Sequence, residues 1–232
     1  MPEIYHALSR GVDKRKIFMD DYDYLRFIHD LFEFNDEAPA ENAFYRLRKA
    51  SINKSIDVGR PNNRNIERPP RKLLVNIYAF CLMPNHYHLL LNPLAEGNIS
   101  LFMKKLNGGY VKYFNGKYER KGTLFERKYK SVLIDNQSHF IHMPYYIHLN
   151  PLDLISPEWR ERKIANLSKT MNFLNSYRWS SHLDYAGQRN FPSVTQRNFL
   201  LEIFDGENGY KERIKEWLNE ISVREINDYV LE

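Results

Sequence analysis

Cysteine is almost absent. Among 232 residues there is one, Cys81, which excludes an internal disulfide, fits a reducing compartment, and reads as a small core residue inside an apolar run. No apolar run approaches the roughly 20 residues that a membrane-spanning helix needs. The opening Met1-Pro2-Glu3 lacks the charged-then-apolar order of a secretory signal. There is no internal repeat and no low-complexity tract. A cytoplasmic chain with no membrane partner is the expectation.

What is present is aromatic and unevenly charged. Apolar residues make up 43%, enough for a substantial core, and 16 Tyr and 14 Phe are heavy for this length. The net charge of +5 conceals a segregation. Residues 18–41 carry eight acids against Arg26 alone, and the tail 200–232 carries nine acids against four bases. Residues 46–72 and 104–130 each carry nine bases against two acids. Such blocks point to a polyanion at the middle of the chain, although solvated surface faces would produce the same pattern.

Periodicity predicts a mixed architecture. Ile4–Arg10 reads as a strand, and Asp20 or Asp21 caps a helix through Tyr24, Phe27, Ile28 and Leu31. A short helix over Glu41–Ser51 and a basic, Pro- and Asn-rich insertion at about 38–71 precede a central hairpin, Leu73–Met83 and Tyr87–Asn92. A helix capped by Ser100 follows, with Gly108-Gly109 weakening its middle, then a strand over Tyr129–Ile134. A further helix begins near Asn136 or Ser138 and stops at Asn150-Pro151, with Pro144 expected to kink or restart it. Two amphipathic helices, about 195–204 and 208–221, complete the tail. The order argues for an α+β fold with helices on a mostly antiparallel sheet.

Two constellations carry chemistry. On a strand, His86 and His88 point to one face, and two adjacent imidazoles are half of a divalent-metal site. An HxH pair taken alone also fits packing or surface hydrogen bonding. On the later helix His142, Tyr146 and Asn150 lie one turn apart on one face, opposite Phe140, Met143 and Ile147. A tyrosine one turn from an amide able to bind metal becomes a nucleophile towards a phosphodiester polarised by a nearby cation. His142 and His148 are candidate general bases.

Met83-Pro84-Asn85-His86-Tyr87-His88-Leu89-Leu90, followed by Tyr146-Ile147-His148-Leu149-Asn150-Pro151, resembles the single-tyrosine HUH transposases, specifically the branch associated with repetitive extragenic palindromes. Tyr5-His6-Ala7-Leu8-Ser9-Arg10-Gly11 and Tyr177-Arg178-Trp179-Ser180-Ser181-His182 resemble other stretches of that family, so the likeness covers about residues 4–185. It implies a ferredoxin-like antiparallel sheet with helices on one face, a catalytic unit over 1–185 and a helical extension over 186–232. It also implies Mg²⁺ or Mn²⁺ held by His86, His88 and Asn150, with Tyr146 as nucleophile. The implied activity is nicking and strand transfer on single-stranded hairpin DNA through a 5′-phosphotyrosine intermediate, in a nucleoid-associated protein acting as monomer or homodimer. DNA contacts are expected from Lys104, Lys105, Lys112, Arg127, Lys128 and Lys130, interleaved with aromatics that can stack unpaired bases. Two other readings are a domesticated hairpin-binding protein that no longer cuts and a metal phosphodiesterase using water.

Overall fold

The structure, a computed structural model, describes residues 2–39, 70–161, 163–220 and 231. The expected helix Glu41–Ser51 and nearly all of the basic insertion lie outside the described residues. The elements run β1 (Tyr5–Arg10), α1 (Asp21–Glu33), β2 (Val75–Met83), β3 (His86–Pro93), α2 (Asn98–Lys117), β4 (Lys130–Leu133) and α3 (Gln137–Leu149). After α3 come two 3₁₀ turns, Asn150–Leu154 and Pro157–Glu161, then α4 (Leu167–Ser176), α5 (His182–Tyr185), α6 (Asn198–Ile203) and α7 (Gly206–Glu220).

The sheet order is β2-β3-β1-β4, and every neighbouring pair is antiparallel. Two split β-α-β units produce this order, the ferredoxin-like arrangement. Residues alternate between faces. Ala7, Tyr87, Leu89 and Leu91 meet Phe27 and Leu31 of α1 and Phe102, Leu106 and Tyr110 of α2. Cys81, Leu90 and Met83 meet Met143 and Ile147 of α3, together with Leu200, Phe204, Tyr210 and Trp217 of the tail. Helices therefore cover both faces of the sheet, not one. The reason is written in β2 and β3, whose near-continuous apolar runs leave no face for water.

Several local expectations are modified. Ser100 lies inside α2, whose N-cap is Gly97, and its hydroxyl pairs with that of Tyr129 at 3.0 Å. Gly108-Gly109 does not break α2. A Cβ at Gly109 would collide with the Phe34 ring, so this glycine permits close approach of the segment after α1. α3 runs through Pro144 without restarting and ends at Leu149, where Asn150-Pro151 tightens into a 3₁₀ turn. The sequence reading missed α4 and the turn Pro157–Glu161, where short apolar spacings give little periodic signal.

A buried carboxylate ties α1 to α2. Asp23, at 0% exposure, accepts from Tyr113 Oη (2.8 Å), Tyr118 Oη (2.7 Å), Lys117 Nζ (2.8 Å) and the Met19 amide (2.7 Å). The free edge of β2 is closed by residues 179–181: Leu82 N–H donates to Trp179 O, and Ser181 N–H donates to Phe80 O. Covering that edge removes a row of unpaired backbone groups.

Candidate active site

β3 presents His86 and His88 to the face covered by α3, as their spacing requires. The register places Arg10 opposite His86 and Leu8 opposite His88, which brings His6 of β1 onto the same face. The His6 and His88 rings stack with centroids 5.1 Å apart, and His6 Nε2 lies 2.8 Å from His88 Nδ1. The His86 and His88 rings meet edge-on at 4.9 Å.

α3 lowers Tyr146 onto this cluster. Its ring stands edge-on to both His6 and His88, at 5.9 Å from each, and the residue is 0% exposed. Tyr145, its neighbour, turns the other way and packs on Phe204 and Tyr210 of the tail. Burial pushes the Tyr145 hydroxyl well above the usual range. The two adjacent tyrosines are thus distinguished by geometry, and Tyr146 is the one facing the imidazoles.

Asn150 stands one turn on. Its Nδ2 donates to the Tyr146 carbonyl (2.8 Å) and its Oδ1 accepts from Arg160 (3.2 Å). Arg160, from the second 3₁₀ turn, also reaches Tyr146 Oη (3.4 Å), and Asp153 braces its guanidinium (2.7 Å). Arg160 and His6 belong to the cluster although sequence reasoning assigned neither a role. His6 lies within the Tyr5–Gly11 stretch that resembles the family, and register with β3 was needed to see it. For Arg160 no sequence signal stood out.

The electrostatics favour neutral imidazoles. Burial, then the guanidiniums of Arg10 and Arg160, push His86 down to about 3. Burial and the neighbouring His86 and His6 hold His88 well below the ordinary histidine range. Neutral rings keep a lone pair, the form in which histidine binds metal. Nε2 of His86 is buried and has no hydrogen-bond partner among the described residues, which fits a cation ligand. Among the described residues no group of three or more His, Cys, Asp or Glu side chains is arranged to hold a metal ion. The Asn150 oxygen is directed to Arg160, so the donor set shown is the two imidazoles.

His148 is committed elsewhere. Its Nε2 meets Ser181 Oγ (2.7 Å) and its Nδ1 meets Tyr210 Oη (2.8 Å), which also meets His182 Nδ1 (2.8 Å). This buried network joins α3 to α5 and α7, and it accounts for a histidine in a core position. His142 is half-buried on α3.

Of the expected DNA contacts, Lys104, Lys112, Arg127, Lys128 and Lys130 are exposed. Lys105 differs: it is half-buried and donates to the carbonyls of Asp36 and Ala38, so its ammonium fastens the segment after α1. Burial lowers its pKa. Lys104, Arg127 and Lys128 rim a groove of about 680 Å³ floored by Met103, Val111 and Phe125. Lys130 pairs with Leu8 and so shares the sheet face of the histidines. Phe102, Tyr110 and Phe114 are core.

Residues 59–150 match the family described as "Transposase IS200 like". Over this stretch, which is less than half of the chain, the sequence is similar to IS200-like transposases. The match spans β2 through α3, and hence His86, His88, Tyr146 and Asn150; His6, Arg10 and Arg160 lie outside it. Among curated proteins, none matches the chain. A solved structure described as "Structure of the REP associates tyrosine transposase bound to a REP hairpin" is similar at 11% identity, covering 83% of this chain and 84% of that one, with a TM-score of 0.48. No helix among the described residues is long and apolar enough to cross a membrane.

Proposed function

We propose that this chain is an IS200-like transposase that nicks single-stranded hairpin DNA and rejoins it through a covalent tyrosine intermediate. The observation that carries the reading is the meeting of the Tyr146 ring with the imidazoles of His6 and His88, under a guanidinium that spans Tyr146 and Asn150. Tyr146 Oη attacks the scissile phosphorus. A P–O bond to the tyrosine forms, the P–O3′ bond breaks, and the phenolic proton ends on the departing 3′-oxygen. The products are a 5′-phosphotyrosine and a 3′-hydroxyl. Because the ester keeps the energy of the broken bond, rejoining requires no nucleotide cofactor.

Each residue has a part in this chemistry. Arg160 stabilises negative charge on the attacking oxygen and on the phosphate as they approach one another. Arg10 adds a second positive charge beside His86 and draws the DNA backbone to the face. His86 and His88, with Asn150 as the neighbouring amide oxygen, would hold Mg²⁺ or Mn²⁺. When bound, the cation supplies Lewis-acid polarisation of the phosphate. Lys104, Lys112, Arg127, Lys128 and Lys130 take phosphates of the strand, and the apolar floor of the adjoining groove takes an unstacked base.

Full burial of Tyr146 favours a second reading, in which the chain binds hairpins without cutting them. A denaturing gel separates the two. The protein is incubated with Mn²⁺ and labelled single-stranded hairpins from the flanks of its own gene, alongside Tyr146→Phe, Tyr145→Phe and His88→Ala. A protein–DNA band that resists denaturant, lost with Tyr146→Phe and His88→Ala but kept with Tyr145→Phe, supports strand transfer. Retention of intact DNA in a native gel, with neither cleavage nor adduct, supports the binding protein. Cleavage without an adduct indicates a water-using phosphodiesterase.

A further inference from the structure

A neutral imidazole can ligate through Nε2 only when its hydrogen sits on Nδ1, and the partner of Nδ1 decides this. His86 Nδ1 lies 2.7 Å from Asn85 Oδ1. The orientation of that amide is fixed from its other end, because Asn85 Nδ2 donates to the Lys14 carbonyl at 3.3 Å. Reversing the amide would set its oxygen against the Lys14 carbonyl oxygen. The Asn85 oxygen therefore requires a hydrogen on His86 Nδ1, leaving the lone pair on the buried Nε2.

The turn that supplies the Lys14 carbonyl is itself unusual. Asp13 and Lys14 both adopt left-handed backbone, φ 54° and 56°, without being glycine. Such conformations are costly for residues carrying a Cβ and persist where surrounding structure enforces them. Here the enforcement is visible: Gly11 N–H donates to the Asn85 carbonyl (2.8 Å), and Ile17 N–H donates to that of Pro84 (2.8 Å). The β2–β3 hairpin turn and the strained turn clamp each other on either side of the Asn85 amide.

We infer that Asn85 is a positioning residue that holds His86 as the Nδ1–H tautomer, with its Nε2 lone pair turned towards a divalent cation. The cation rests on the function proposed above; the tautomer does not.

Long-range ¹H–¹⁵N correlation on the full chain, without metal or DNA, reads each ring directly, with assignment by His86→Gln and His88→Gln. His86 is expected as Nδ1–H, the form less favoured in free histidine. Asn85→Leu should convert it to Nε2–H. Asn85→Asp, which keeps the acceptor, should preserve the tautomer even if the leucine variant folds poorly. Mn²⁺ affinity, followed by electron paramagnetic resonance, should fall about tenfold or more with Asn85→Leu, as for outer-shell partners of metal histidines, and recover with Asn85→Asp. Nε2–H at His86 in the unmodified protein, or no change with Asn85→Leu, overturns the inference. The expected tautomer with no Mn²⁺ bound at any concentration would leave the positioning role of Asn85 standing and remove the metal from the proposed function.

Discussion

Tyr210→Phe tests how the helix carrying the proposed nucleophile is held. The substitution removes one hydroxyl and leaves ring volume unchanged, so no cavity term arises. Tyr210 Oη sits between His148 Nδ1 and His182 Nδ1, 2.8 Å from each, while His182 Nε2 meets Asn175 Oδ1 at 3.1 Å and His148 Nε2 meets Ser181 Oγ at 2.7 Å. The partners give the chain one direction. His182 Nε2–H donates to Asn175, Tyr210 O–H donates to His182 Nδ1, and His148 Nδ1–H donates to Tyr210 Oη. Phenylalanine therefore strands one buried donor and one buried acceptor, each costing about 1–3 kcal/mol, or about 2–6 kcal/mol in all. In a chain of this size that lowers the thermal midpoint by on the order of 10 °C. Urea unfolding followed by circular dichroism should show a lower midpoint with an unchanged slope. A loss below about 0.5 kcal/mol, the range of ordinary surface substitutions, would refute the buried network.

Three further outcomes follow from the geometry. His86 and His182, pushed down to about 3 and about 4 by burial, stay neutral in the fold while the unfolded chain takes up protons below about pH 6.5. Stability should therefore rise with pH through the interval from about 4 to 6.5, at up to about 1.4 kcal/mol per pH unit for each such group; flat urea midpoints across that interval would contradict the assignment. Arg160→Ala should slow adduct formation by on the order of 10²-fold while hairpin affinity in a gel-shift titration changes little, as loss of a charge-stabilising donor does. Gly109→Ala should destabilise by about 1–3 kcal/mol despite alanine's better helix propensity, because its methyl enters the Phe34 ring; a gain in stability would show that Phe34 gives way freely.

The strands of the sheet were legible in the sequence because β2 and β3 are apolar runs bounded by turn residues, while the ferredoxin-like arrangement was implied by the family resemblance and not by strand patterns. α1 was legible from its Asp20 cap, which accepts from the Asp23 amide at 3.0 Å. The spacing of His86 and His88 and of Tyr146 and Asn150 likewise placed each pair on one face, and the fold brings the two faces together. Three-dimensional facts escaped. His6 joins the cluster through an antiparallel register that no local pattern encodes. Arg160 arrives on a 3₁₀ turn without helical or strand periodicity. Lys105 and Lys117 counted as basic surface in the sequence, yet their ammonium groups are taken by carbonyls and by the Asp20–Asp23 pair. Pro144 was expected to interrupt α3, but a helix packed along its length on β2 and the tail tolerates the loss of one backbone donor.

The central claim is that Tyr146 forms a covalent link to DNA, and mapping the linked residue tests it most directly. The full chain is reacted with Mn²⁺ and a short hairpin-bearing single strand, digested with nuclease and protease, and analysed by tandem mass spectrometry. The account predicts a nucleotide mass on the peptide holding Tyr145-Tyr146, with fragment ions assigning it to Tyr146 and the phosphate joined through its 5′-oxygen. Nucleotide on Tyr145, on another tyrosine, or on none while the strand is cut would contradict it.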